Sequence, residues 1–165
     1  MTADSMIDLS AAASSGGLTI DDLPAGVPGV RMELIDGSLV VTPLGDVAHQ
    51  ILIASMCRVL DPPDGLVVLA GVNVIVGERT LLIPDVAVID PLHQARGGLG
   101  VTPTGLQLVV EVTSPSTRVH DLTTKRELYR QWGVPYLIVD RKGGDPLTSV
   151  QVEGDLPEWA KVLLP

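Results

Sequence analysis

Apolar residues recur along this chain in two rhythms, and the places where the rhythm changes mark its elements. Val30 to Ile35 and Ser38 to Thr42 are apolar-rich runs joined by Asp36-Gly37. That dipeptide readily supplies the positive φ angles of a type I′ turn, so the stretch predicts a β-hairpin. Asp46 is placed to cap a helix to about Leu60: Val47, Ile51, Ala54, Met56 and Val59 recur near helical period, and Asp61-Pro62-Pro63 ends the run. Leu66 to Ala70, Val72 to Val76 and Leu81 to Ile89 read as strands of a central sheet, and Gln107 to Thr113 as a continuous buried strand. Leu122 to Trp132 predicts a helix and Tyr136 to Asp140 a strand; strand, helix, strand in that order implies a parallel crossover. Leu18 to Leu23 reads as a short helical turn behind Thr19, the Gly-rich stretch from His93 to Thr104 as a loop, and Ser149 to Val152 as an edge strand. A short amphipathic end, Leu156 to Leu164, closes the chain. The expected fold class is α/β, with a mixed, curved central sheet flanked by helices and extended by an N-terminal hairpin.

Composition sharpens this picture. Hydrophobic residues are 45% of the 165, yet Phe is absent and aromatics are 2%, so the core must be Val, Leu, Ile and Ala, which favours sheet. The length fits one domain, expected over 18–165. Met1 to Gly17 has acids where a secretory signal carries basic residues, and no sustained apolar region, so 1–17 is expected to be a disordered tail. The apolar stretch from Leu66 to Gly77 is broken by Gly71 and Asn73 and is too short to cross a bilayer. One cysteine, Cys57, can form neither an internal disulfide nor a zinc cluster; a cytoplasmic location is the expectation.

Charge argues against a general nucleic-acid binder. Lys and Arg number 11 against 20 acids, a formal net charge of -9, and affinity for nucleic acid comes largely from basic residues displacing counterions at phosphates. Arg118, Lys125, Arg126, Arg130, Arg141 and Lys142 do cluster after residue 111, enough for a local positive rim in which Arg126 is a candidate substrate contact. With so few aromatics there is no platform for stacking bases, so tight sequence-independent binding of single strands is not expected.

Two carboxylates stand where carboxylates are costly. Asp85 follows Pro84 within Leu81-Leu82-Ile83-Pro84-Asp85-Val86, and Glu111 lies inside Leu108-Val109-Val110-Glu111-Val112-Thr113. Acids are seldom left in apolar runs unless a cation offsets their desolvation. Pro84 cannot donate to a ladder, so a strand edge or bend is expected there, and such irregularities occur beside active sites. Lys125 precedes Leu128 and Tyr129 by three and four residues and so lies on their side of the helix, with its stem packed and its ammonium able to reach the acids. The plainer alternatives are a turn-capping Asp85, a Glu111 salt bridge to the helix, and a solvent-facing Lys125 paired with Asp121. An Asp, a Glu and a Lys converging at one end of a sheet are the kit for metal-assisted hydrolysis of a phosphodiester. Mg²⁺ or Mn²⁺ takes oxygen ligands, which Asp85, Glu111, the Val112 carbonyl and water would supply. Ser114, Ser116 and Thr117 can start the following helix or bind a phosphate through hydroxyls and backbone N–H groups.

The spaced set Glu33-Leu34-Ile35-Asp36-Gly37, His49, Pro84-Asp85-Val86-Ala87-Val88, Glu111-Val112-Thr113-Ser114-Pro115-Ser116-Thr117, Asp121 to Lys125, and Tyr129 with Gly133-Val134-Pro135 and Tyr136 to Asp140 resembles the bacterial Uma-type family of restriction-endonuclease-like proteins, within the PD-(D/E)XK nuclease superfamily. The match runs from about Thr19 to about Asp140. The resemblance implies a restriction-endonuclease-like fold, a metal-dependent endonuclease acting on nucleic acid (DNA foremost), and a homodimer. It further implies Asp85, Glu111 and Lys125 as the catalytic set, with Glu33 as an auxiliary acid and His49 as a polar contact to substrate or water. Read from the residues alone, Glu33 is equally the solvent face of a hairpin and His49 a satisfied polar residue in a first helical turn. The superfamily's commonest spelling has Lys two residues after the Glu; Thr113 stands there in this chain. The acidic balance keeps open a rival from another class, a binding or regulatory module that retains the fold without turnover.

Overall fold

The computed structural model describes residues 16–24, 26–113, 121–140 and 149–165. The first fifteen positions of the expected tail, together with Ser114, Ser116, Thr117, Arg118, Arg141 and Lys142, lie outside the described residues.

The hairpin forms as its turn chemistry dictates. β1 (Val30–Ile35) and β2 (Ser38–Pro43) pair antiparallel with Ile35 opposite Ser38, and both Asp36 and Gly37 take positive φ, 48° and 79°, as a type I′ turn requires. α1 (Val47–Val59) begins where Asp46 accepts a hydrogen bond from the His49 N–H at 2.8 Å, satisfying one of the helix's orphan donors.

The expected single central sheet is instead two. β3 (Val67–Ala70), β4 (Val74–Val76), β5 (Thr80–Leu82) and β6 (Val86–Ile89) follow in sequence, and the run read as one strand from Leu81 to Ile89 is cut at Ile83-Pro84-Asp85. β5 joins a six-stranded sheet in the order β2-β1-β5-β4-β8-β7, and β6 a five-stranded sheet in the order β11-β10-β9-β6-β3. Pro84 has no N–H to donate to a ladder, and the chain crosses from one sheet to the other there. The loop expected from His93 to Thr104 also carries structure: β7 (Gln94–Ala95) pairs antiparallel with β8 (Gly100–Val101), and β8 lies parallel to β4.

β9 (Leu106–Thr113) runs parallel to β10 (Tyr136–Asp140), with Glu111 opposite Ile138. Between them the helix begins with a π-type turn, Asp121–Lys125, and continues as α2 (Arg126–Gln131), the π turn being a departure from the plain α-helix expected. β11 (Ser149–Glu153) closes the five-stranded sheet as its edge, antiparallel to β10, and the C-terminal end forms a 3-10 helix, Glu158–Leu163.

This sheet is covered on both faces. Val86, Val88, Leu108, Val110, Val112, Leu137 and Val139 pack with Leu52, Ile53 and Met56 of α1. Ala87, Val109, Tyr136 and Ile138 pack on the other side with Tyr129 of α2 and with Val74 and Leu82 of the second sheet. The alternation of Val110 and Val112 against Val109 therefore puts Glu111 on the α2 side. Tyr129 is sealed there by Trp132, edge-on at 5.6 Å between ring centroids, and by Tyr136 at 4.9 Å.

Candidate active site

The crossing at Pro84 carries Asp85 to the seam between the two sheets, 3% exposed. Its carboxylate is held from three directions. Oδ2 accepts from the Val112 N–H at 2.8 Å, and Oδ1 receives Arg31 Nη2 at 2.9 Å and faces His49 Nε2 at 3.3 Å. Burial opposes ionisation of Asp85, but the His49 hydrogen bond, the Arg31 charge and the Val112 N–H outweigh it and hold the acid below its usual range.

Glu111, 1% exposed, meets Asp85 directly: its Oε2 accepts from the Asp85 N–H at 3.3 Å. Its Oε1 receives Lys125 Nζ at 2.9 Å, and the same ammonium lies 3.0 Å from Glu33 Oε1. Glu33 Oε1 also accepts from the Ile83 N–H at 2.7 Å, which ties the hairpin to the turn that delivers Asp85. Lys125 is 2% exposed. Its stem enters from the last position of the π turn, on the side of Tyr129, so the inward reading of the helix face holds and the solvent-facing alternative does not.

The sheet thus brings Asp85, Glu111 and Lys125 together and adds Glu33 and His49 to the same cluster. Glu33 is 2% exposed; the solvent-face reading fails because β5 lies alongside β1 and Lys125 of the π turn reaches over it. His49 is buried in the first turn of α1, its Nδ1 without a hydrogen-bond partner in the structure. Arg126, the candidate substrate contact, turns instead to Glu153 of β11 and forms an ion pair there. Thr113, at the position the commonest superfamily spelling gives to lysine, donates its hydroxyl to Asp140 Oδ1 at 2.9 Å.

Sequence reasoning missed Arg31. The signal was available: Arg31 and Glu33 are two apart on one strand and so share a face, and once Glu33 points inward Arg31 must as well. Besides Asp85, its guanidinium donates through Nη1 to the Ile83 carbonyl at 2.9 Å. Burial opposes its charge, while Asp85, Glu111 and Glu33 more than compensate, so its pKa is raised above the ordinary arginine value.

Among the described residues, three carboxylates, from Glu33, Asp85 and Glu111, therefore face two cations, Arg31 and Lys125, with one negative charge in excess when His49 is neutral. Beside them lies a cavity of about 20 Å³ lined by Arg31, Thr42, Gly45, His49, Asp85 and Glu111, room for about one water. No set of three His, Cys, Asp or Glu side chains gathers as a metal centre among the described residues. Two carboxylates are nevertheless enough for Mg²⁺, which keeps several waters and takes only one or two protein carboxylates. An excess negative charge, an all-oxygen donor pair and an adjoining polar cavity fit a hard divalent cation.

The fold is shared with a solved protein. Over 90% of this chain and 94% of the other, with a TM-score of 0.60 and 17% identity, it is similar to "a putative nuclease belonging to DUF820 from Anabaena variabilis ATCC 29413". No curated protein matches the chain. The model of the Uma2 family, described as "Putative restriction endonuclease", matches residues 20–155. That match takes in the hairpin, the Pro84 crossing, β9, the lysine helix and β10, and the chain belongs to the Uma2 family.

Proposed function

We propose that the protein is a metal-dependent endonuclease that hydrolyses phosphodiester bonds of nucleic acid at the Asp85, Glu111, Lys125 cluster. The observation that carries this reading is a buried ammonium fixed between two carboxylates, Lys125 Nζ at 2.9 Å from Glu111 and 3.0 Å from Glu33, beside a third carboxylate that turns a sheet junction. Burying Glu33, Asp85, Glu111 and Lys125, with Arg31 half-buried beside them, is costly for stability, and an array kept at that cost is most simply explained by chemistry that needs it.

Asp85 and Glu111, with the Val112 carbonyl, are the residues that would hold Mg²⁺ or Mn²⁺. The chemistry a bound cation supplies at such a set is Lewis acidity toward water and a phosphoryl oxygen. The remaining work falls to the chain. Lys125, unable to swing because two acids anchor it, presents a fixed positive charge where charge accumulates on the phosphoryl oxygens, and a preorganised charge costs no reorganisation at the moment of reaction. Glu33 sets the position of that ammonium and couples it to the Ile83 backbone. His49 orients the Asp85 carboxylate through Nε2, while its Nδ1 can accept a proton or a hydrogen bond from a water in the small cavity.

Incubation with plasmid, single-stranded DNA and RNA in Mg²⁺ or Mn²⁺ tests the proposal. Wild type should cut at least one substrate in a metal-dependent way and Asp85→Ala none. Absence of cleavage by wild type on every substrate and metal would leave the nuclease reading without support.

A further inference from the structure

Arg31 sits on one oxygen of Asp85, a carboxylate that would hold a cation. Asp85 Oδ2 accepts from the Val112 N–H, and Arg31 Nη2 sits on the other oxygen, Oδ1, at 2.9 Å, in the wall of the small cavity that both residues line. Oδ1 already meets both Arg31 and His49, and a divalent cation on the same oxygen would stand within a few ångströms of the guanidinium and be strongly repelled by it. Either the guanidinium stays or the metal enters.

The surroundings allow it to leave. Arg31 forms part of the wall of the small cavity and also of two open clefts, of about 470 Å³ and 360 Å³. The first is bounded by Leu23, Val30, Met32, Leu81 and Ile83, the second by Leu44, Gln50, Ala70 and Gly71. The side chain is 18% exposed and borders both clefts, so a change of rotamer with β1 fixed has space to carry the guanidinium from cavity to cleft. Its second anchor is a single carbonyl, that of Ile83.

We propose that Arg31 is a placeholder cation: it neutralises Asp85 while the site holds no metal, and on entry of a divalent cation it is expelled into the adjoining cleft, where it binds a backbone phosphate of the nucleic-acid substrate. This rests on the metal-dependent reading above and assigns Arg31 a role in it. The phosphate half follows from charge. A chain with a net charge of -9 repels a polyanion overall, and a guanidinium released only in the metal-loaded state supplies a forked donor suited to phosphate. Metal loading and substrate binding would then be coupled through one side chain.

Three measurements, none of them turnover, test it. In wild type, saturating Mn²⁺ should speed phenylglyoxal modification of Arg31 by about five-fold or more, read by peptide mass spectrometry, with exposed Arg58 unchanged. An unchanged or slower rate overturns the displacement. Arg31→Met should bind Mn²⁺ at least about ten-fold more tightly than wild type in calorimetry, because a competing cation has gone; equal or weaker binding overturns the placeholder role. For a duplex oligonucleotide with Ca²⁺ in place of Mg²⁺, Arg31→Met should bind at least about three-fold more weakly, and equal binding removes the phosphate contact. Should Arg31→Met fail to fold, the wild-type modification rate still decides. Displacement in a protein that cuts nothing would sink the nuclease reading and leave this one standing, whereas cleavage without displacement would do the reverse.

Discussion

Lys125→Met removes one ammonium and leaves two buried carboxylates facing its former place. Because Nζ lies 2.9 Å from Glu111 Oε1 and 3.0 Å from Glu33 Oε1, those oxygens stand no more than about 6 Å apart, and at an effective dielectric near 20 two unit charges at that distance repel by roughly 3 kcal/mol. Direct measurements of buried pairs broken from one side give a similar figure, about 3–5 kcal/mol. A solvated helix lysine would contribute only a few tenths. The variant should therefore lose about 3–5 kcal/mol in urea denaturation followed by Trp fluorescence with EDTA present, or roughly 6–20 °C in melting temperature. Adding Glu33→Gln should restore part of that loss, since the second carboxylate no longer has a charge to neutralise. A part in turnover for this lysine must be read at temperatures where the variant is folded: there, on the proposed function, cleavage should fall by about two orders of magnitude or more with little change in substrate affinity. A stability loss below about 1 kcal/mol would refute the electrostatic reasoning, because it would mean the pair is solvated. A folded variant with full activity would remove Lys125 from the chemistry while leaving it in the fold.

Gly45→Ala should displace His49, because a Cβ there would lie 2.5 Å from the imidazole Cγ; a loss of about 1–3 kcal/mol and a displaced His49 imidazole resonance by NMR are expected, and an unaltered resonance would count against the packing. In the metal-free protein Asp85 titrates below its ordinary value, so its contribution is fully present above the usual aspartate range of about 4 and is lost as pH falls through the depressed folded-state value. Acid unfolding of wild type should accordingly be steeper below about pH 4 than that of Asp85→Asn, and identical acid profiles would contradict it. The homodimer implied by the family resemblance is expected in solution: Val41, Leu44, Val47 and Ile51 leave apolar surface exposed along the end of β2 and the first turns of α1, and light scattering that finds only monomer at micromolar concentration would dismiss it.

The parts of this site that were legible in sequence share one property, that each breaks a local rule. A carboxylate inside a valine run and a proline inside a strand are visible without knowing the fold, and so is the Asp-Gly turn. What pairs with them was less visible, because partner choice is decided by non-local packing. Alternation along β1 shows that Glu33 and Arg31 share a face but not that β5 and the lysine helix will cover it; the solvent-facing alternative was reasonable until Ile83 donated its N–H to Glu33. In the same way Pro84 marks an interruption of a ladder, while the transfer of the chain to a second sheet depends on Leu81 finding Leu34 and on Val86 finding Val110.

The lysine shows how far such reasoning reaches. A lysine two residues after Glu111 would share its strand face; Thr113 holds that place and is bound to Asp140 across the β9–β10 pair. Chemistry requires an ammonium near the acids and not at a given sequence offset, and here the last residue of the π turn delivers it. A π turn carries one more residue than an α turn of the same span and shifts the residues after it around the axis. In this chain it sets Lys125 over Glu111 while leaving Tyr129 seated in the core. The lysine's inward face could be read from its spacing to Leu128 and Tyr129, whereas its reach to two carboxylates at once depends on that irregular turn and on a hairpin ninety residues away in sequence, neither of which a local pattern encodes.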